Sequence, residues 1–353
     1  MMKQSSRIIL IVIFALLLAG AAIFILLRTT GSPERANFPH KKLIIDSDSG
    51  ADDASALILA AKCESADILG VTTLSGNVEV EQGTKNTLMS LEIAGCDAPV
   101  YKGADTAYTG ERIKESGVFG KDGMGDADLI HPSKGPQEKD AVSFMLDTVA
   151  ANPGEIEIVS LGPATNIAKA IQKDPETMKK VKMIWSMGTA GLGPGNATPV
   201  AEFNAYKDAE AFKIMLDSGI PVTIIGLDVC GGEAQWTSEQ FEKLSESNNI
   251  GRFVTDAFGK LREFYVSNGS PDQTMNCDTV AMMCCLDPSF TKSSLKAHGS
   301  CITQAGETYG QVLFYKEGFT YDIAKNDFEH NVTLTTEVDS DHFFDQFFSI
   351  IAS

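Results

Sequence analysis

Strands alternating with helices predict an α/β fold: one large domain on a mostly parallel, Rossmann-like central sheet with helices flanking it. Three observations carry that expectation. Short apolar runs recur along the chain, helical segments rich in Ala and Leu separate them, and no internal repeat or low-complexity run interrupts residues 40–353. Lys42-Leu-Ile-Ile-Asp46 reads as the first strand, followed by a helix from Ala51 to Ala61. Ile68 to Thr73 is the second strand, and a helix follows from Val80 to Ala94. Ile156 to Ser160 is a strand and Ala164 to Gln172 a helix. Val181 to Met187 and Val222 to Leu227 are further strands, with a helix from Ala209 to Leu216 between them. In such sheets ligands collect beyond the carboxyl ends of the strands.

The segment ahead of this domain differs in kind. Ile8 to Leu27 is uncharged and mostly aliphatic, about the 20 residues that a helix needs to span a bilayer. A cleavable signal peptide has a shorter apolar core, roughly 7–15 residues, although Ala19-Gly-Ala-Ala22 offers small residues. Residues 1–28 are therefore expected to be an uncleaved signal anchor, with a cleaved signal peptide and a secreted product as the alternative. Residues 29–39, polar and containing Pro and Gly, read as a linker. Lys3 and Arg7 favour a cytoplasmic N-terminus and an extracytoplasmic domain, whereas Arg28, Arg35, Lys41 and Lys42 on the far side pull the other way.

Composition narrows the function. The 47 acids against 29 bases give a formal net charge of -18, which disfavours binding to a nucleic-acid polymer and suits neutral or cationic small molecules and divalent cations. A mean hydropathy near zero excludes a polytopic membrane protein. The seven cysteines are odd in number; Cys284 and Cys285, adjacent in an apolar stretch, read as core packing, and no CxxC suggests structural zinc.

The densest chemical signal is Asp46-Ser-Asp48-Ser-Gly-Ala-Asp52-Asp53, four carboxylates at the joint between the first strand and its helix. An EF-hand loop fails on spacing, because counting from Asp46 its sixth and twelfth positions hold Ala51 and Leu57 rather than Gly and Glu. An aspartate phosphoryl-transfer site lacks a basic or Gly-rich phosphate cradle nearby. Helix capping occupies one or two acids, not four. A hard divalent cation taking oxygen ligands accounts for all of them.

The run DSDSGADDASALILAA resembles the signature of the nucleoside hydrolases, calcium-dependent enzymes that cleave the N-glycosidic bond of ribonucleosides to free base and ribose. Further matches follow in order: Thr72-Thr-Leu-Ser-Gly-Asn77, Leu161-Gly-Pro-Ala-Thr165-Asn166, Met187-Gly188, Asn196, Val200-Ala-Glu202-Phe203-Asn204, Cys277-Asp278, and Asn331-Val-Thr-Leu through Asp341-His-Phe-Phe. The resemblance covers residues 40–353. It implies Ca²⁺ held by Asp48, Asp53, Asp278 and the carbonyl of Thr165, with Asp48 also the base that deprotonates the attacking water. It further implies a ribose held by Asp52, Asn77, Asn204 and Asp278, with Asn196, Glu202, Phe203 and Met187 about its 5′ side and face. Asp46 would orient the cluster from behind. A homo-oligomer, dimer or tetramer, and a role in purine or pyrimidine salvage are implied in the same way.

Taken singly, several of these residues have plainer readings. Asn77 is also a turn residue after Gly76, Glu202 and Asn204 fit a solvated strand face, Met187 fits a core, and Asn166 fits a helix brace. Two departures from the family pattern fall on the leaving-group side. Cys277 stands where a histidine commonly precedes the last calcium aspartate, and Phe119 replaces a second histidine in the loop Val118–Gly125. None of His40, His131, His298, His330 and His342 falls in a motif, so water, Cys277 or Tyr265 remain as proton sources. A nucleoside-capturing surface protein with little turnover, and a hydrolase of another N-riboside such as nicotinamide riboside, are the competing expectations.

Overall fold

The computed structural model describes residues 38–351 apart from 112, 114–116, 271 and 317–327. The expected signal segment and residues 29–37 of the linker lie outside the described residues. Among the described residues no helix is long and apolar enough to cross a membrane. Nine described strands form one sheet: β1 (Lys41–Ser47), β2 (Ala66–Thr73), β3 (Val100–Lys102), β4 (Ile156–Ser160), β5 (Met183–Met187), β6 (Val222–Ile225), β7 (Thr291–Cys301), β8 (Val312–Lys316) and β9 (Val332–Val338), in the order β3-β2-β1-β4-β5-β6-β9-β7-β8. From β3 to β9 the pairing is parallel. β7 and β8 add an antiparallel edge.

The α/β expectation therefore holds, with local differences. The strand expected from Val181 begins at Met183, and the one expected to reach Leu227 stops at Ile225, because Leu227–Cys230 coils into a helical turn. β4 and β6 are buried at every position, as continuous apolar strands covered on both faces should be.

Two helices position the site. Ala51–Lys62 is buried from Ala51 to Ala60, and Cys277–Leu286 is buried throughout. Apolar on all sides, each must lie inside the protein, and they pack against one another. Leu57, Ile58 and Leu59 lose all their exposed surface there, each contributing about 1.5–3 kcal/mol. All seven cysteines are free thiols, and Cys284 and Cys285 lie wholly in this core. The strand register brings Asp46 beside Thr72 and Ser160, so the carboxyl ends of β1, β2 and β4 share one edge of the sheet.

Candidate active site

Contact between the two buried helices brings their N-termini together at that edge. Asp52 and Asp53 occupy the first turn of one and Asp278 the first turn of the other. One carboxylate oxygen from each of the three lies within 4.8 Å of the others. Asn276 Nδ2 donates to Ser55 Oγ at 3.3 Å, tying the two helix starts. Both helix dipoles place partial positive charge among the acids. Asp53 is fixed further: its Oδ1 accepts from Ser47 Oγ at 2.7 Å and its Oδ2 from the Gly50 N–H at 2.9 Å.

Asp48 stands beside this trio. Its Oδ2 accepts the Asn77 backbone N–H at 2.6 Å and its Oδ1 the Asn77 side-chain amide at 3.3 Å. The close approach needs glycine: a Cβ on Gly76 would overlap the Asp48 carboxylate, and one on Gly162 would press its Cβ. Behind it, Asp46 Oδ1 accepts from Thr72 Oγ1 at 2.6 Å and Asn166 Nδ2 at 2.8 Å. Asn166 also donates to Thr73 O and accepts from the Ala104 N–H, so one side chain links the ends of three strand–loop units.

Asp46, Asp48, Asp52, Asp53 and Asp278 are all buried, and among the described residues no Lys, Arg or His forms an ion pair with any of them. Burial, then the charge of Asp53, raises Asp48 and Asp52 well above the ordinary carboxylate range. Burial, then Asp52 and Asp53, does the same to Asp278. Burial pushes Asp46 up to about 7. Asp46 Oδ2 and Asp52 Oδ1 have no hydrogen-bond partner. Such an arrangement is costly unless a cation joins it, and an all-oxygen donor set fits a hard divalent ion.

Above the acids opens a cleft of about 390 Å³. Asp52, Asn77, Asn196, Glu202, Asn204 and Asp278 line it together with Met187, Phe203, Phe119 and Cys277. Glu202 caps the Phe203–Lys207 helix, its carboxylate accepting the N–H groups of Asn204 (2.8 Å), Ala205 (3.1 Å) and Thr189 (3.0 Å). Burial outweighs those bonds and raises it to about 7. Thr189 is held at φ 76, a conformation that a β-branched residue adopts only under constraint. Asn204 Nδ2 donates to Leu161 O at 2.8 Å and Met187 O at 3.3 Å, leaving its Oδ1 as an acceptor.

The model of the inosine-uridine preferring nucleoside hydrolases matches residues 43–345. The chain belongs to this family. Uridine nucleosidase 1 of Arabidopsis thaliana is 42% identical over 193 residues, 54% of this chain and 57% of that protein. The probable uridine nucleosidase 1 of Oryza sativa subsp. japonica is 32% identical over 251 residues, 70% of this chain and 78% of that one. The matched stretch thus spans little more than half of the Arabidopsis protein. Among solved structures, a plant nucleoside hydrolase, the PpNRh1 enzyme, shares a TM-score of 0.83 at 30% identity, covering 89% of this chain and 100% of its own. The purine-preferring ribonucleoside hydrolase from Gardnerella vaginalis gives 0.81 at 28% identity, covering 88% and 98%.

Against the residues that the nucleoside hydrolase resemblance implied, the fold brings together Asp48, Asp52, Asp53 and Asp278 from distant parts of the chain. Asp52, rather than Asp48, completes the tightest trio. Asp48, Asp53 and Thr165 are fully buried and do not line the cleft; the Thr165 hydroxyl donates to Asp208 Oδ2 at 2.6 Å. Glu202 and Asn204 are buried at a helix start, which replaces the solvated strand face as their plain reading. Phe119 is buried, its ring within 3.2 Å of where a Gly50 Cβ would stand, so it braces the acidic turn while lining the cleft. Cys277 lines the cleft beside Cys230, and that neighbour together with burial raises its thiol well above the ordinary value. Sequence reasoning missed Leu261, Phe264 and Met275, which line the cleft with Tyr265. The apolar residues on the Gly259–Ser267 helix look like any helix face seeking a core.

Proposed function

We propose that the protein hydrolyses the N-glycosidic bond of ribonucleosides, releasing base and ribose, with Ca²⁺ as its cofactor. One observation carries this reading: carboxylates from two distant segments converge, without a protein cation, at a cleft walled by amides and acids. Asp48, Asp53, Asp278 and the Thr165 carbonyl are the proposed ligands, with Asp52 close enough to share the ion. A bound divalent cation lowers the pKa of water and offsets the charge of the carboxylates.

The chain's own residues do the rest. Asp48, oriented by two bonds from Asn77, accepts a proton from the water that attacks C1′ opposite the departing base, the geometry of an inverting glycosidase. Asp52, Asn77, Asn204 and Asp278 hold the 2′- and 3′-hydroxyls. Asn196, Glu202, Phe203 and Met187 close over the 5′ side. Hydroxyl-binding groups of this kind reject analogues that lack the hydroxyl, so 2′-deoxynucleosides are expected to be poor substrates. The apolar run at residues 8–27 supports an extracytoplasmic placement for this chemistry.

The test is base release from uridine and inosine by wild type and Asp48→Asn, with Ca²⁺ and with EGTA. Expected are turnover by wild type only with Ca²⁺ and a loss of about 10²–10⁴-fold in the variant, the usual worth of a general base, with an unchanged circular dichroism spectrum. Tight nucleoside binding without release would assign the protein to capture instead.

A further inference from the structure

If the protein is an N-riboside hydrolase, the wall of its cleft narrows the substrate. The cleft has two unlike sides. Amides and carboxylates make one; Leu261, Phe264 and Tyr265 of the Gly259–Ser267 helix, with Leu227, Met275 and Cys277, make the other. No histidine or arginine is among the described lining residues, and the one lysine, Lys207, belongs to the Phe203–Lys207 helix, its Nζ 4.8 Å from the Phe203 ring. The apolar wall therefore offers two protons only, on the Tyr265 phenol and the Cys277 thiol. Neither has a carboxylate or imidazole relay beside it on that wall, and Cys277 faces a second buried thiol, Cys230, whose Sγ lies 3.9 Å from the Cys277 carbonyl.

This matters because of where the electrons go. When C1′–N breaks in a neutral nucleoside, the bonding pair stays on the ring nitrogen and the base departs as an anion unless a proton reaches it. A base that already carries a positive charge departs neutral with no proton supplied. Such a cation is also attracted to the aromatic faces of Phe264 and Tyr265 and to a chain of net charge -18.

We propose that the preferred substrates are N-ribosides with a cationic base, N-ribosylpyridinium compounds and N7-alkylated purine ribosides. In the reaction the water oxygen bonds to C1′ as C1′–N breaks. The bonding pair neutralises the ring, and the water proton passes to Asp48 and then to solvent. The products are ribose, a neutral base and one proton.

The experiment compares kcat/KM of the full chain with Ca²⁺ for nicotinamide riboside and 7-methylguanosine against uridine, inosine and guanosine, with 4-nitrophenyl riboside as an activated control. Expected is an advantage of about 100-fold or more for the two cationic substrates, the lower bound of what a general acid contributes. Cys277→Ser and Tyr265→Phe are expected to keep that ratio within about threefold. Neutral nucleosides cleaved within about tenfold of the cationic pair would overturn the proposal while leaving the hydrolase reading intact. So would a variant whose uridine turnover alone falls about 100-fold, since it would reveal a working proton donor. No turnover of any substrate, the activated control included, would defeat the hydrolase reading and this inference with it.

Discussion

Opposite ends of one sheet hold buried carboxylates that the fold treats in opposite ways. At the amino ends, Glu157 of β4 accepts from Lys41 Nζ at 2.6 Å, Lys182 Nζ at 2.8 Å and Trp185 Nε1 at 2.7 Å. Burial alone would raise it, but the bonds from Lys182, Lys41 and Trp185 win and hold it below the ordinary range. At the carboxyl ends, Asp46, Asp48, Asp52 and Asp278 receive neutral hydrogen bonds or none, and all four are raised. Glu157 is therefore completed by the protein itself. The acidic cluster is completed only by something that binds, and that unfinished electrostatics is the mark of a functional site.

The contrast predicts stability effects of opposite sign. Glu157→Gln should destabilise by about 3 kcal/mol, the low end for breaking a buried ion pair because Lys182 is half exposed. Asp48→Asn, studied in EGTA, should leave the melting temperature unchanged or raise it, since it removes a repelled charge. Urea denaturation of both variants decides this, and equal losses in the two would erase the distinction.

Cation binding should sharpen the difference. At about 100 times its Kd, Ca²⁺ should stabilise wild type by about 2.7 kcal/mol and should also flatten a pH dependence. Asp46 and Glu202 titrate near 7 in the folded chain, against ordinary values of 3.8 and 4.5. Between these limits the folded state holds more protons than the unfolded state, so the stability of the calcium-free protein falls as pH rises from about 4 to 7. Melting curves in EGTA across that window should show the decline, and Ca²⁺ should reduce it. A rise with pH in EGTA would reverse the reading.

The smallest expected effect is at the brace between the strand ends. Asn166→Ala strands Asp46 Oδ1, Thr73 O and the Ala104 N–H, a cost of about 1–3 kcal/mol. Ca²⁺ affinity measured by titration should fall with it, because the groups that orient metal ligands tune the site. Lost stability with unchanged affinity would confine Asn166 to the scaffold.

Much of the site was legible where its residues are neighbours in sequence. Four acids in one strand–helix joint have few plain explanations, and a Gly-Asn or Glu-Phe-Asn run gains meaning beside them. Asn166 was legible only as a helix brace, because its partners Asp46, Thr73 and Ala104 come from other loops. β3, three residues long, is too short for a periodic pattern, and the β7–β8–β9 edge was not anticipated. The residues of the apolar wall were hidden for a different reason: an apolar helix face looks the same whether it covers a core or a substrate.

The sequence by itself determined the alternation of strand and helix, the acidic turn after β1 and the family pattern, because each depends on residues close together along the chain. Only the tertiary structure decided that Asp278 joins Asp52 and Asp53, that Glu202 is buried at a helix start, and that Leu261, Phe264 and Tyr265 form one side of the cleft. Those outcomes follow from the crossing of two wholly buried helices and the order of strands in the sheet. Long-range packing sets both, and no local preference specifies it.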